Sequence, residues 1–150
     1  MKALKLGPDG PYLERAHARV ARPDEARIRL SLGGVCATDI ELVKGYMNFT
    51  GVLGHEWVGV VEHAAEPGLI GRPVVGEINC PCLNCTTCRA GRSNHCSART
   101  VLGILNRDGA FSEEFYLPEA NLHVVPEDVA DEQAVFVEPL AAALQILEQI

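Results

Sequence analysis

Cys82-Leu83-Asn84-Cys85-Thr86-Thr87-Cys88, followed after seven residues by Cys96, is a run of thiols spaced to converge on one ion. Two-residue gaps let the backbone fold so that successive sulfurs point at a common centre. Gly91 and Asn94 supply the tight turns that return the fourth. Four thiolates complete a tetrahedral shell around Zn²⁺ at about 2.3 Å each, a closed structural site with no position left for chemistry. Two other uses of clustered cysteines compete. A disulfide framework suits secreted chains, but Met1-Lys2-Ala3-Leu4-Lys5 runs into Gly7-Pro8-Asp9 rather than an apolar signal segment. Iron–sulfur ligation is the other metal option. The spacing favours zinc in a reducing, cytoplasmic setting. Cys80, two residues before the lobe, reads as a buried spectator or as an alternate thiolate that could replace Cys82. His95 adjoins Cys96, but four sulfurs already close the site.

A second set of candidate ligands lies upstream, in Gly34-Val35-Cys36-Ala37-Thr38-Asp39 and Gly54-His55-Glu56. Taken singly they have ordinary explanations. A free Cys is most often a small buried hydrophobe. A lone His is most often a satisfied core or surface residue. Thr38 suits a helix N-cap, and Asp39 suits the positive end of a helix dipole. His17, His63 and His123 carry no pattern and read as surface or strand histidines.

The elements that must position these residues are mostly short strands. Alternating or continuous apolar segments predict strands over Lys2–Leu6, Ala26–Leu32, Trp57–Glu62 and Pro73–Ile78. A fifth runs from Gly109-Ala110-Phe111 to Leu117 and is closed by Pro118. Strands this short, punctuated by Gly and Pro, suit a closed or partly closed barrel. A short helix is predicted over Thr38–Lys44, ended by Gly45. A second helical stretch starts at Asp131 and restarts with Pro139 at its first position. Leu140 to Leu147 is apolar on most faces, so this helix expects a partner to cover it.

With 150 residues, 47% of them apolar, the chain is one domain able to bury a real core. No apolar run approaches the ~20 residues of a membrane span. The net charge of −7 is uneven: up to residue 112 there are 13 basic and 11 acidic side chains, and from Glu113 onward nine acidic ones and no Lys or Arg. The acidic end reads as a solvated surface. Nothing forms the basic patch that nucleic-acid binding requires.

Together, Cys36-x-Thr38-Asp39, Gly54-His55-Glu56, the four-cysteine lobe, Gly109-Ala110-Phe111 and Glu138-Pro139-Leu140 resemble the medium-chain, zinc-dependent alcohol dehydrogenases over essentially all 150 residues. The resemblance implies a mainly β fold: a GroES-like, partly open barrel with short helices, a zinc-binding loop lobe over about residues 80–100 and a C-terminal helix. It implies two zinc ions per chain, one structural in the lobe and one catalytic. Cys36 and His55 match the first two catalytic ligands. Glu138 sits where polyol-type members carry a glutamate and liver-type members a third cysteine, which points to the polyol and threonine dehydrogenase branch. Glu56 in that branch binds the metal directly or exchanges with water. Asp39 matches the carboxylate that orients the His ligand. Thr38 matches the proton-relay hydroxyl, and Glu41 stands where liver-type enzymes complete the relay with a histidine.

The implied activity is hydride transfer from a small alcohol, polyol or hydroxy compound to NAD or NADP. That cofactor needs a glycine-rich turn, yet no G-x-G-x-x-G occurs in these residues. The expectation is therefore the first part of a longer, homo-oligomeric enzyme, inactive for hydride transfer by itself, with neither nucleic acid nor membrane as partner. The competing reading is a stand-alone zinc-binding or structural module.

Overall fold

The computed structural model describes residues 1–15 and 22–148, and among these described residues ten strands carry the fold, each hydrogen-bonded in an antiparallel pairing. They are β1 (Ala3–Gly7), β2 (Gly10–Glu14), β3 (Glu25–Gly34), β4 (Gly51–Val52), β5 (Glu56–His63), β6 (Pro73–Gly76), β7 (Asn79–Cys80), β8 (Thr100–Val101), β9 (Glu114–Pro118) and β10 (Leu122–Val124). The helices are α1 (Ala37–Val43), α2 (Thr86–Arg89), α3 (Asp131–Ala134) and α4 (Val137–Gln145). His17 lies outside the described residues. No helix among the described residues is long and apolar enough to cross a membrane.

The ten-residue β3 organises the main sheet, of order β10-β6-β5-β3-β9. Its side chains alternate as predicted at first: Ala26 and Ile28 are buried, while Arg27 and Arg29 point outward and share Glu62 on β5 at 3.6 and 3.2 Å. A register shift between Leu30 and Leu32 then breaks the period, so Leu32 becomes exposed. A second sheet, β2-β1-β4, joins the first through the segment before β9. Ala3 bridges Ser112, and the Leu4 N–H donates to the Phe111 carbonyl at 2.8 Å. These links curl the two sheets into the expected partly open barrel. The pair β7-β8 forms the base of the cysteine lobe.

Burial on both faces of β5 explains why its sequence is continuously apolar rather than alternating. Trp57 and Val61 face the larger core with Ile28, Val74, Phe115 and Leu117, and Trp57 meets Phe115 edge-on with centroids 4.7 Å apart. Val58 faces the other way, against Val75, Val125, Ala134 and Val135. Leu6, Leu42, Phe49 and Leu53 form a small third core that includes α1.

Several predicted elements shift. β2 is not among the predicted strands; a two-residue loop at Pro8-Asp9 makes a hairpin in which Gly7 faces Gly10. The ladder of β6 ends at Gly76, so Glu77 and Ile78 leave the predicted strand, and Glu77 N–H turns to the Asn121 carbonyl. β9 begins only at Glu114, because residues 109–111 do a different job described below. The N-cap of α1 is Cys36 rather than Thr38, and Gly45 ends it as expected, at φ +102°. α4 starts at Val137, which places Pro139 third in the helix. Its missing N–H still costs nothing in a first turn.

Phe115 is 1% exposed and fills the centre of the larger core. Phe115→Ala is expected to lower stability by about 3–5 kcal/mol, read as a fall in the denaturant midpoint with little change in slope.

Candidate metal centres

Asp39 is buried at the start of α1, and its two oxygens do separate work. Oδ2 accepts the backbone N–H of Cys36 at 2.9 Å, fixing the N-cap residue that carries the thiol. Oδ1 accepts the Gly54 N–H at 3.3 Å and faces His55 Nδ1 at 3.5 Å. One carboxylate thereby fastens two loops, 15 residues apart in sequence at Gly54, around a single point.

His55 itself is 2% exposed, and its Nδ1 has no well-formed hydrogen bond. At 3.5 Å the contact with Asp39 is chiefly a charge interaction, and it leaves Nε2 as the nitrogen to offer a metal. Burial pushes the imidazole pKa down; interactions with Asp39 and with the Cys36 sulfur outweigh this and raise it to about 9. Glu56 follows at the first position of β5, opposite Gly34 on β3. A Cβ on Gly34 would stand 2.5 Å from Glu56 Oε2 and 3.1 Å from its Cβ, so glycine there provides the room for this carboxylate.

The Gly109-Ala110-Phe111 segment serves the same centre. It is not paired as a strand; instead it clamps the chain that presents His55. Gly109, Ala110 and Phe111 N–H groups donate to the carbonyls of Val52, Gly54 and Leu53 at 2.7, 2.9 and 2.9 Å. The Phe111 ring lies over Gly54, whose φ is +95° and where any Cβ would meet the ring at 2.3 Å. Sequence reasoning flagged this tripeptide but assigned it to a strand. It named Gly34 without assigning it a role and missed Gly103; both act through contacts across the chain that spacing does not reveal.

Cys36 Sγ, a His55 nitrogen and a Glu56 oxygen lie within 4.8 Å of one another. A thiolate, an imidazole and a carboxylate form a donor set that suits a borderline-soft ion, so the residues fit zinc. Thr38 is half-buried with Oγ1 3.6 Å from Cys36 Sγ, and Glu41 turns outward to Lys44 at 2.8 Å. Glu138, in the first turn of α4, is not among the three converging groups. It lines a cleft of about 350 Å³ with Glu77 and His123; burial raises its carboxyl pKa, His55 opposes this, and Glu56 and Glu77 add to it.

The lobe brings the other four candidates together. Sulfur separations are 3.5 Å for Cys85–Cys88, 3.9 Å for Cys85–Cys96 and 3.5 Å for Cys82–Cys96. A disulfide needs about 2.05 Å. A tetrahedron of sulfurs 2.3 Å from one ion has edges of about 3.8 Å, close to what is seen. The Cys88 N–H, 3.5 Å from Cys85 Sγ, leads the interactions that lower the Cys85 thiol to about 6. Burial and then the neighbouring sulfurs push Cys88 up to about 12. Four thiols this close cannot all ionise without a cation among them, and their arrangement could hold one. Cys80 is buried in the core, with Sγ between the Ile78 carbonyl and the Asn121 amide at 3.7 Å each, outside the four-sulfur group. His95 is exposed and likewise outside it.

The family described as "Alcohol dehydrogenase GroES-like domain" matches residues 22–127. The chain belongs to this family. Among curated relatives, the starvation-sensing protein RspB of Escherichia coli K12 is 34% identical over 81% of this chain and 38% of its own length. An L-threonine 3-dehydrogenase of Chelativorans is 36% identical over 96% of this chain and 45% of its own. Among solved structures, the rspB alcohol dehydrogenase of E. coli CFT073, complexed with NADH, superposes with a TM-score of 0.86 at 30% identity, over 96% of this chain and 44% of that one. A zinc-binding dehydrogenase of Sinorhizobium meliloti bound to NADP gives 0.86 at 29% identity, over 99% and 45%. The chain thus spans less than half the length of these family members, and the threonine dehydrogenases among them support the branch that Glu138 indicated.

The raised His55 pKa sets a pH dependence. Without metal, the imidazolium–Asp39 pairing contributes stability in full below pH 6.5 and loses it as pH rises through about 9. Metal must displace that proton, so affinity at this centre is expected to rise with pH and to level off only above about 9. Chelator competition from pH 6 to 10 measures it. An Asp39→Asn protein should reach its plateau at lower pH; an unmoved plateau would show that Asp39 does not hold the proton there.

Proposed function

We propose that these residues form the metal- and substrate-binding part of a zinc-dependent, NAD(P)-linked dehydrogenase acting on a small alcohol, polyol or hydroxy compound. The observation that carries the reading is the convergence of Cys36, His55 and Glu56 within 4.8 Å, beside a separate four-thiol group. One zinc would sit in the lobe on Cys82, Cys85, Cys88 and Cys96, and a second on Cys36, His55 and Glu56. That second ion would act as a Lewis acid, making a substrate hydroxyl more acidic.

The protein's own groups supply the rest. Asp39 keeps the His55 ring in place, and Gly34 leaves Glu56 free to reach the centre. The Thr38 hydroxyl, half-exposed and next to Cys36 Sγ, can accept the substrate proton while donating its own to water. Because Glu41 is held outward by Lys44, solvent completes the exit that liver-type enzymes assign to a histidine. Glu138, in the first turn of α4, would add a further carboxylate ligand, with Glu56 binding the ion directly or exchanging with water.

The 150 residues contain no G-x-G-x-x-G turn, and relatives run to more than twice this length. The dinucleotide site is assigned to chain beyond them, in a parent that associates with copies of itself. Cysteines grouped as thiol ligands rather than disulfides fit a reducing compartment such as the cytoplasm.

Metal analysis separates this reading from a module that holds only a structural ion. Protein produced with added zinc is expected to carry two ions per chain, matching the two ligand groups. Cys36→Ser should remove one of them and Cys85→Ser the other. A single ion, retained in Cys36→Ser and lost in Cys85→Ser, would leave only the structural module.

A further inference from the structure

The return strand of the cysteine lobe runs directly into the loop that presents His55. From Cys96 the chain enters β8, and Leu102, fully buried, donates its N–H to the Ile78 carbonyl at 3.0 Å. Next comes Gly103, held at φ +66° with its N–H on the Arg107 carbonyl at 3.0 Å. A Cβ on Gly103 would lie 2.4 Å from the Gly54 carbonyl oxygen, 2.9 Å from its carbon and 3.0 Å from its nitrogen. Gly103 therefore rests flat against the Gly54 peptide, with no side chain between them. Gly54 is the residue whose carbonyl accepts the Ala110 N–H, whose N–H donates to Asp39, and which leads straight to His55. Arg107 secures the junction, pairing with buried Glu25 at 2.5 Å and donating through Nε to Thr100 on β8 at 3.0 Å.

We propose that Gly103 is a positioning residue that couples the two metal centres. Closure of the four thiols around an ion fixes the register of β8, which seats Gly103 on the Gly54 peptide and holds His55 where Cys36 and Glu56 can share a second ion with it. Backbone packed this closely has little freedom to yield gradually, so a displaced Gly103 displaces Gly54. Coupling of this kind is reciprocal: each ion strengthens binding of the other by the same factor, about tenfold or more.

The proposal rests on the two-centre reading above, and one titration tests them separately. Co²⁺ is added to the whole chain, and sulfur-to-cobalt absorption distinguishes a four-thiolate from a one-thiolate centre. Uptake of a single ion by the wild-type chain overturns the two-centre reading. Given two ions, Cys88→Ser should weaken the His55 centre about tenfold or more, and His55→Asn should weaken the lobe by a matching factor. Should Cys88→Ser fail to fold by circular dichroism, the His55→Asn arm decides alone. Affinities that stay within about twofold of wild type overturn the coupling. Gly103→Ala then tests the route: on that background the coupling factor should fall towards one. An equal loss of affinity at both centres, with the coupling factor preserved, would show that Gly103 serves only general stability.

Discussion

A single buried carboxylate holds the catalytic candidate together. Asp39 is 4% exposed, accepts backbone N–H groups from Cys36 and Gly54, and faces the His55 ring. A charge at that depth is tolerable because each of its two oxygens accepts a backbone N–H. The requirement runs in both directions. The donors satisfy Asp39, and Asp39 fixes the turn before α1 and the turn before β5 relative to each other. Neither the Cys36 thiol nor the His55 imidazole sits on a long rigid element. Their convergence depends on this bridge.

Around that bridge, glycine marks places where backbone must touch backbone or where a side chain needs room. Gly103 and Gly109 allow two later segments to press against Leu53 and Gly54, and Gly34 leaves space for Glu56. The two candidate metal centres are thus built on different principles. The lobe draws all four ligands from one short run of sequence, with sulfurs as its chief organising groups. The second centre draws Cys36, His55 and Glu56 from separate segments and depends on packing that comes from residues 103–111. A local site can be assembled by its ion; a distributed one has to be assembled by the fold.

This difference explains what could be read before the structure was known. The lobe was fully legible, because spacing within 15 residues limits where four sulfurs can go. Cys36, His55, Glu56 and Asp39 were legible only as a set carried by resemblance, since nothing local says that residues 36 and 55 meet. The main strands were recognisable from apolar periodicity, and β5 most clearly, because both of its faces are buried. Short strands such as β4, β7 and β8 were not, since two residues carry no period. The assignment of Gly109-Ala110-Phe111 to a strand failed because its backbone groups pair with Val52, Leu53 and Gly54 outside any ladder. Thr38 lost the N-cap position because Asp39 reaches back to the Cys36 N–H, moving the cap two residues upstream.

Glu138 is the candidate least bound by this logic. It lies in the first turn of α4, which touches β5 and β6 on one side and exposes Leu140, Leu144 and Ile146 on the other. Cys36 and His55 are fixed by a buried bridge and by clamped backbone, whereas Glu138 is fixed only by how this helix rests on the sheet. The raised pKa of Glu138 fits such a placement: its carboxyl is half-withdrawn from water, near two other carboxylates, and has His55 as its one favourable neighbour. A cation between Glu138, Glu56 and His55 would offset that repulsion and desolvation together. The exposed face of α4 and the placement of Glu138 are therefore linked, because the seating of this helix sets where its carboxyl lies.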